Sequence, residues 1–210
     1  TKSTYLDQTF SPIDTISPTA FFVHEPKAKD AINLKNYFWF GSAGAIHKGL
    51  DLLIEFFANR KDLQLHICGA LSQEHDFYVH FIRTISSIPN IHYHGFIDVN
   101  SEYFKELMEL GTFSILPSCS EGIATSVLTT MLNGGMIPIV PKSAGIDLHD
   151  FGILIEELSS DGIERAISIA QEMTIEEIQS RSSKVLSYSQ KNFTIDNFKS
   201  NLRNILVKHL

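Results

Sequence analysis

From Tyr37 onward the sequence alternates between two hydrophobic periods, and this restricts the folds open to it more than any other feature. Short apolar runs at residues 37–40, 63–68, 91–96, 113–116, 136–140 and 151–155 have strand length and strand composition. Between them lie segments with helical spacing: Leu50, Leu53, Ile54 and Phe57; Phe77, Phe81 and Ile85; Tyr103, Leu107 and Leu110; Val127, Leu128, Met131 and Leu132. Strands alternating with helices predict βαβ units, and therefore a parallel sheet covered on both faces. The pattern predicts one doubly wound, Rossmann-like α/β domain of about six strands.

After the sixth run the strand signal stops and three helical segments follow. Asp161 with Glu164, and Thr174 with Glu177, have the spacing of capping boxes for the first two. Thr194 is a candidate cap for the third, where Phe198, Leu202, Ile205 and Leu206 share a face. These three make a helical C-terminal tail. Residues 1–35, punctuated by Pro12, Pro18 and Pro26, have weak periodicity. They fit a connecting segment with one strand at 20–23 and a disordered leader equally well.

A formal net charge of −7 argues mildly against a general nucleic-acid binder, and no nucleic-acid partner is expected. No apolar run approaches the roughly 20 residues that span a bilayer, and no signal peptide is expected. Cys68 and Cys119 form no Cys-x-x-Cys pattern, which with scattered histidines suits a reducing, cytoplasmic setting better than a disulfide scaffold or zinc site.

Three groups of residues are candidates for chemistry. The first is the loop 41–49. In Gly41-Ser42-Ala43-Gly44 the glycines and alanine let a backbone approach a ligand, a helix start favours anions, and Lys48 adds positive charge, which together suit a phosphate or diphosphate. The spacing matches neither Gly-x-x-x-x-Gly-Lys-Ser/Thr nor Gly-x-Gly-x-x-Gly. Spacing alone leans toward a tight turn with an exposed lysine. His47 is the histidine best placed to meet a bound phosphate, or is simply solvated.

The second is Glu121 with Gly122, between the fourth strand and the next helix. Glu121 is the sole charge between Leu110 and Lys142. It suits ligand hydroxyls or acid–base work, and equally an acidic residue stabilised at a helix start. Ser118, Ser120, Thr125 and Ser126 read as caps and turn formers. The third is His92 and His94, on one side of a strand, where two metal ligands are conceivable. No third ligand follows at suitable spacing, so a core or surface role is favoured and no metal is expected.

The order of these motifs resembles a known family. Phe40-Gly41, the stretch 47–53, Ile67-Cys68-Gly69, His94-Gly95-Phe96, Leu116-Pro117-Ser118 with Glu121-Gly122, and Gly135 with Pro138-Ile139-Val140 resemble the C-terminal half of a GT-B-fold retaining glycosyltransferase. The likeness is to the metal-independent, group 1 (family 4-like) enzymes that include many bacterial polysaccharide transferases. It covers roughly residues 36–157, and the tail plausibly to the end.

The resemblance implies that residues 41–44 and Lys48 hold the donor diphosphate. It implies that Gly95, Phe96 and Ile97 cradle the nucleotide base. Glu121 contacts the donor sugar, with Gly122, Ile123, Ala124 and Thr125 binding sugar and phosphate. Glu121 and Lys48 are the catalytic candidates, and no base is assigned. Two positions depart from the pattern. Thr129 stands where a second glutamate grips the ribose, and Ser42 where an arginine is frequent; threonine cannot accept a bidentate pair.

The resemblance further implies that residues 1–35 are a hinge from an N-terminal domain, and that 36–210 bind a nucleotide-sugar. The acceptor, a glycan or lipid-linked sugar, would bind the other domain. The full-length protein would associate peripherally with a membrane, and this chain would be inactive alone. The cosubstrate is a nucleotide-diphosphate sugar, with no cofactor. A degenerate binding module and a sugar-nucleotide epimerase of the same fold are the rival readings.

Overall fold

The computed structural model describes residues 14, 16–22, 26 and 32–209. Six parallel strands form one sheet: β1 (Asn36–Phe40), β2 (Gln64–Cys68), β3 (Ile91–Gly95), β4 (Phe113–Ile115), β5 (Ile137–Val140) and β6 (Ile153–Leu154). Their order is β3-β2-β1-β4-β5-β6, so the chain steps outward from β1 to one edge and then returns to fill the other. The point of return lies between β1 and β4, whose carboxyl ends diverge into loops on opposite sides. That is where a doubly wound sheet opens a crevice.

Helices α1 (Leu50–Asn59), α2 (His75–Ser87), α3 (Glu102–Leu110) and α4 (Thr125–Gly134) connect the first five strands. Strand β1 shows why both faces are covered. Tyr37 and Trp39 point into the larger core with Leu53, Phe57, Ile67 and Phe113. Phe38 points the other way, into a smaller core with Phe104, Leu107, Met108 and Met136. All three aromatic side chains are fully buried, as expected of a central parallel strand. Helix α4 is buried over most of its length, and its buried polar side chains Thr129, Thr130 and Asn133 donate to its own backbone carbonyls. It ends at Gly135, whose φ of 57° and close approach to Ser182 Oγ both require glycine.

The tail is α5 (Ser160–Gln171), α6 (Ile175–Asn192) and α7 (Ile195–His209). Thr174 and Glu177 form the expected capping box of α6, and Thr194 Oγ1 accepts from Asn197 N, as expected for α7. The expected box at α5 is not formed. Ser159 caps that helix instead, accepting from Gly162 N at 3.1 Å. Glu164 is drawn away to Arg60 at the end of α1, 2.6 Å distant. A distant guanidinium thus outcompetes the local amide for this carboxylate.

The expected strand at 20–23 is absent for residues 20–22, and Val23 lies outside the described residues. The backbone there is tied to helices rather than to the sheet. Ala20 N donates to Phe193 O at 3.0 Å, and Asn133 Nδ2 donates to Phe21 O at 2.6 Å. No helix is long and apolar enough to cross a membrane among the described residues.

Candidate functional site

Because all strands are parallel, the loops that follow β1, β3 and β4 gather at one edge of the sheet. The loop after β1 is shaped first by packing. A Cβ on Gly41 would fall 2.4 Å from the Trp39 indole, and one on Gly49 2.4 Å from Pro117 O. Gly49 also has a φ of 65°. At Gly41 the space a side chain would take is filled by the Trp39 indole, so packing alone already requires glycine there.

The loop amides are held within the chain. Gly44 N and Ala45 N donate to the carboxylate of Glu74, at 2.9 and 3.0 Å. Glu74 stands just before α2, and sequence reasoning missed it because it lies about thirty positions away. The Gly44 amide, expected to meet a diphosphate, already holds an anion supplied by the chain.

Lys48 and Glu121 do come together. Lys48 Nζ is 3.4 Å from Glu121 Oε1, with the two side chains 15% and 18% exposed, and it also donates to Ala43 O at 2.9 Å. Ser118 Oγ donates to the same Glu121 oxygen. The backbone of this turn is anchored from the β5 side, where Glu121 N donates to Ser143 O and Ala124 N to Ala144 O. His47 is exposed to solvent, yet its ring is held by the neighbouring turn. Its Nε2–H donates to Ser120 O, leaving Nδ1 to accept from the Cys119 thiol at 3.3 Å. It stitches the two loops together.

Helix α4 starts just beyond. Its N-cap is Ala124, and no side chain caps it. None of Ser118, Ser120, Thr125 or Ser126 takes the capping role expected of them. The start of this largely buried helix therefore keeps the partial positive charge that attracts anions.

Beside α4 lies a cavity of about 430 Å³. It brings together Gly41, Ser42, Phe96, Ile97, Thr125 and Thr129 from the expected set. It also includes Cys68, Gly69, Ser126, residues 19–21, Val99 and Asp98, which sequence reasoning did not assign. Phe96 is 76% exposed, a large apolar ring in an open position. Thr129 is buried, and its hydroxyl donates to Thr125 O at 2.9 Å. Burial pushes the Cys68 thiol up to about 12, which disfavours its thiolate form. Gly95, with a φ of 73°, turns the chain out of β3 toward Phe96. Gly122 is exposed and Ile123 half-buried near Glu121, outside the cavity lining.

His92 and His94 acquire an unforeseen neighbour in His66 on β2. His66 Nδ1 lies 3.0 Å from His94 Nε2, and His94 Nδ1 2.7 Å from the Tyr103 hydroxyl. The rings stack, and Phe38 covers the other side of His66. Burial, reinforced by His92 and His94, drives the His66 pKa down to about 3. Among the described residues no group of three His, Cys, Asp or Glu is arranged to hold a metal. The three rings form a stacked, partly buried polar cluster between β2 and β3.

No family model and no curated protein matches the sequence. Solved structures do match. The chain superposes on HepE from Anabaena, solved in complex with UDP and glucose, with a TM-score of 0.68 at 16% identity, covering 82% of this chain and 48% of that one. WaaG, a glycosyltransferase involved in lipopolysaccharide biosynthesis, gives 0.65 at 15% identity over 90% and 54%. A TarM mutant from S. aureus, solved with Fondaparinux, alpha-GlcNAc-glycerol and UDP, gives 0.71 at 17% identity over 97% and 42%. The fold is that of a GT-B half. The chain spans about half the length of the structures it matches. The anchored turn at Glu121 and the open start of α4 lie at the carboxyl edge of the sheet.

Proposed function

We propose that this chain is the donor-binding part of a glycosyltransferase that moves a sugar from a nucleotide-diphosphate sugar to an acceptor. The observation that carries this reading is one continuous edge with three chemically distinct parts. They are a cavity with an exposed aromatic ring, an uncapped helix start, and a lysine paired with a carboxylate. A base, a diphosphate and a sugar need these surroundings in this sequence. The structural neighbour HepE was solved with UDP and glucose and with UDP-glucose, ligands of this class.

In this reading Lys48 and the start of α4 stabilise the diphosphate as the sugar–phosphate bond breaks, by charge placed in advance. Glu121 accepts hydrogen bonds from sugar hydroxyls and, through its ion pair, keeps Lys48 in place. Transfer of a hexosyl unit, in surface polysaccharide or glycan synthesis in the cytoplasm of a bacterium, is the finer form of the proposal. The acceptor, a glycan or lipid-linked sugar, would sit on a second domain, and this chain by itself would not turn over. No metal is required, because Lys48 and helix amides supply the positive field.

A second reading is a binding module without transfer. Two observations favour it: Thr129 presents no carboxylate, and Glu74 occupies loop amides. NMR titration with UDP and GDP tests the first reading. Shifts should cluster at Lys48, Glu121, Phe96 and Thr125. A folded chain with no shifts there refutes it. Donor turnover by the full-length protein would exclude the second.

A further inference from the structure

We propose that His47 and Cys119 form a thiol–imidazole dyad that makes Cys119 a site of thiol–disulfide exchange with small disulfides, and that the mixed disulfide formed there closes the adjoining edge to a diphosphate. The dyad is independent of the donor-site reading above, and the closing of the edge rests on it.

The thiol does not stand alone. Cys119 is exposed, on the loop between β4 and α4, and its Sγ lies 3.3 Å from His47 Nδ1. The same two residues are joined a second time through the backbone, where Cys119 N donates to His47 O at 3.0 Å. That second bond fixes where the thiol sits relative to the ring. The far side of the ring faces Ser120 O, a group that can only accept. Nε2 therefore carries the proton, and Nδ1 turns its lone pair toward the thiol. A nucleophile, a base and a group that orients the base thus follow one another along a single line of hydrogen bonds. The chain's other cysteine, Cys68, is buried and provides an internal reference.

In the exchange, the Cys119 proton passes to His47 Nδ1 as Sγ attacks one sulfur of a disulfide R–S–S–R. A new S–S bond forms, the old one breaks, and the departing R–S⁻ takes up a proton. The balance is Cys119–SH + R–S–S–R → Cys119–S–S–R + R–SH, with the thiol oxidised and the incoming disulfide reduced. While His47 holds the transferred proton, both of its nitrogens keep a partner, Ser120 O on one side and the sulfur on the other.

Position gives the adduct its effect. His47 adjoins Lys48 in the chain, and Cys119 stands two residues before Glu121. The Lys48–Glu121 pair, 3.4 Å apart, therefore lies next to the dyad on both loops. A mixed disulfide with glutathione, a tripeptide of net negative charge, adds bulk and repulsion beside the groups that would receive a diphosphate.

The test is incubation of this 210-residue chain with oxidised glutathione, for the wild type, His47→Gln and Cys119→Ser. Peptide mass spectrometry locates the adduct and follows its rate of formation. His47→Gln keeps a donor for Ser120 O but removes the base, and thermal melts confirm that both variants fold. The adduct should form at Cys119 alone, about tenfold or more faster in the wild type than in His47→Gln, as loss of a positioned base implies. Cys119→Ser should take up none. An equal rate in folded His47→Gln, or an adduct chiefly on Cys68, overturns the dyad. Calorimetry with UDP then compares the reduced and the glutathione-bearing chain. Affinity should fall about tenfold in the adduct, as added repulsion at the diphosphate implies, and return on reduction with dithiothreitol. Unchanged affinity overturns the closing of the edge. A reduced chain that binds no UDP, yet forms the adduct at the expected rate, refutes the donor-site reading and the closing of the edge together, and leaves the dyad standing.

Discussion

Two strand-to-helix turns of the same topology face the same edge of this molecule, and they are finished differently. The turn after β1 is closed: Glu74 takes the Gly44 and Ala45 amides, Lys48 is turned onto Ala43 O and Glu121, and glycine positions are filled by Trp39 and Pro117. The turn after β4 is anchored underneath by Ser143 and Ala144 but open at its tip, where α4 starts at Ala124 without a cap. A closed turn holds a side chain at a fixed place. An open one offers backbone to a ligand. In this chain the first turn would aim Lys48, and the second would receive the anion.

The contrast can be broken at either turn. The largest effect is expected from Gly49→Ala, which adds a Cβ 2.4 Å from Pro117 O at a φ of 65°. It should cost about 3 kcal/mol or more of stability in urea unfolding, because one position joins both turns. Acid provides a second test, remote from both turns. His66 is held at about 3 in the folded chain and returns to about 6.5 when unfolded. The unfolded state therefore binds the extra proton, so stability is full above pH 6.5 and falls as pH drops toward 3. Urea midpoints should decline through this window, and His66→Phe should flatten the decline; an unchanged slope would relieve the histidine stack of that role.

Smaller effects separate the two turns themselves. Lys48→Met should weaken UDP binding about 100-fold by calorimetry, as one charge-assisted contact to a diphosphate implies, with little change in melting temperature. Glu74→Gln keeps size but weakens both amide bonds. It should cost about 2 kcal/mol of stability, and Lys48 resonances should broaden as the loop loosens. Unaltered stability would mean that the loop does not depend on Glu74. The smallest effect tests the open turn. Ala124→Ser supplies the absent cap and should stabilise by about 1 kcal/mol, while weakening diphosphate binding because the hydroxyl competes for the same amides. Tighter binding would contradict the open-turn account.

Elements with a strong local signal were legible without coordinates. Five of the six strands fall within the apolar runs and β1 starts one residue earlier, at Asn36, while α1 to α4 each contain the residues at helical spacing. The Thr174–Glu177 box is local and was read correctly; the Asp161–Glu164 box was not, because Arg60 competes from a hundred positions away. Within the site, Lys48 and Glu121 were chosen as isolated charges in small or apolar surroundings, and they meet. Glu74, His66 and Asp98 gave no such signal, being ordinary residues near helix starts or on an interior strand.

The amino-acid order by itself therefore determined the α/β alternation and which residues could be core, since period and burial act over a few neighbours. Tertiary structure alone decided the strand order, and through it which turns face each other. Hydrogen bonds between strands and loops link residues without regard to their distance along the chain. Only after β1 and β4 pair does His47 reach Ser120, and only after β3 takes the edge does Asp98 enter the cavity beside α4.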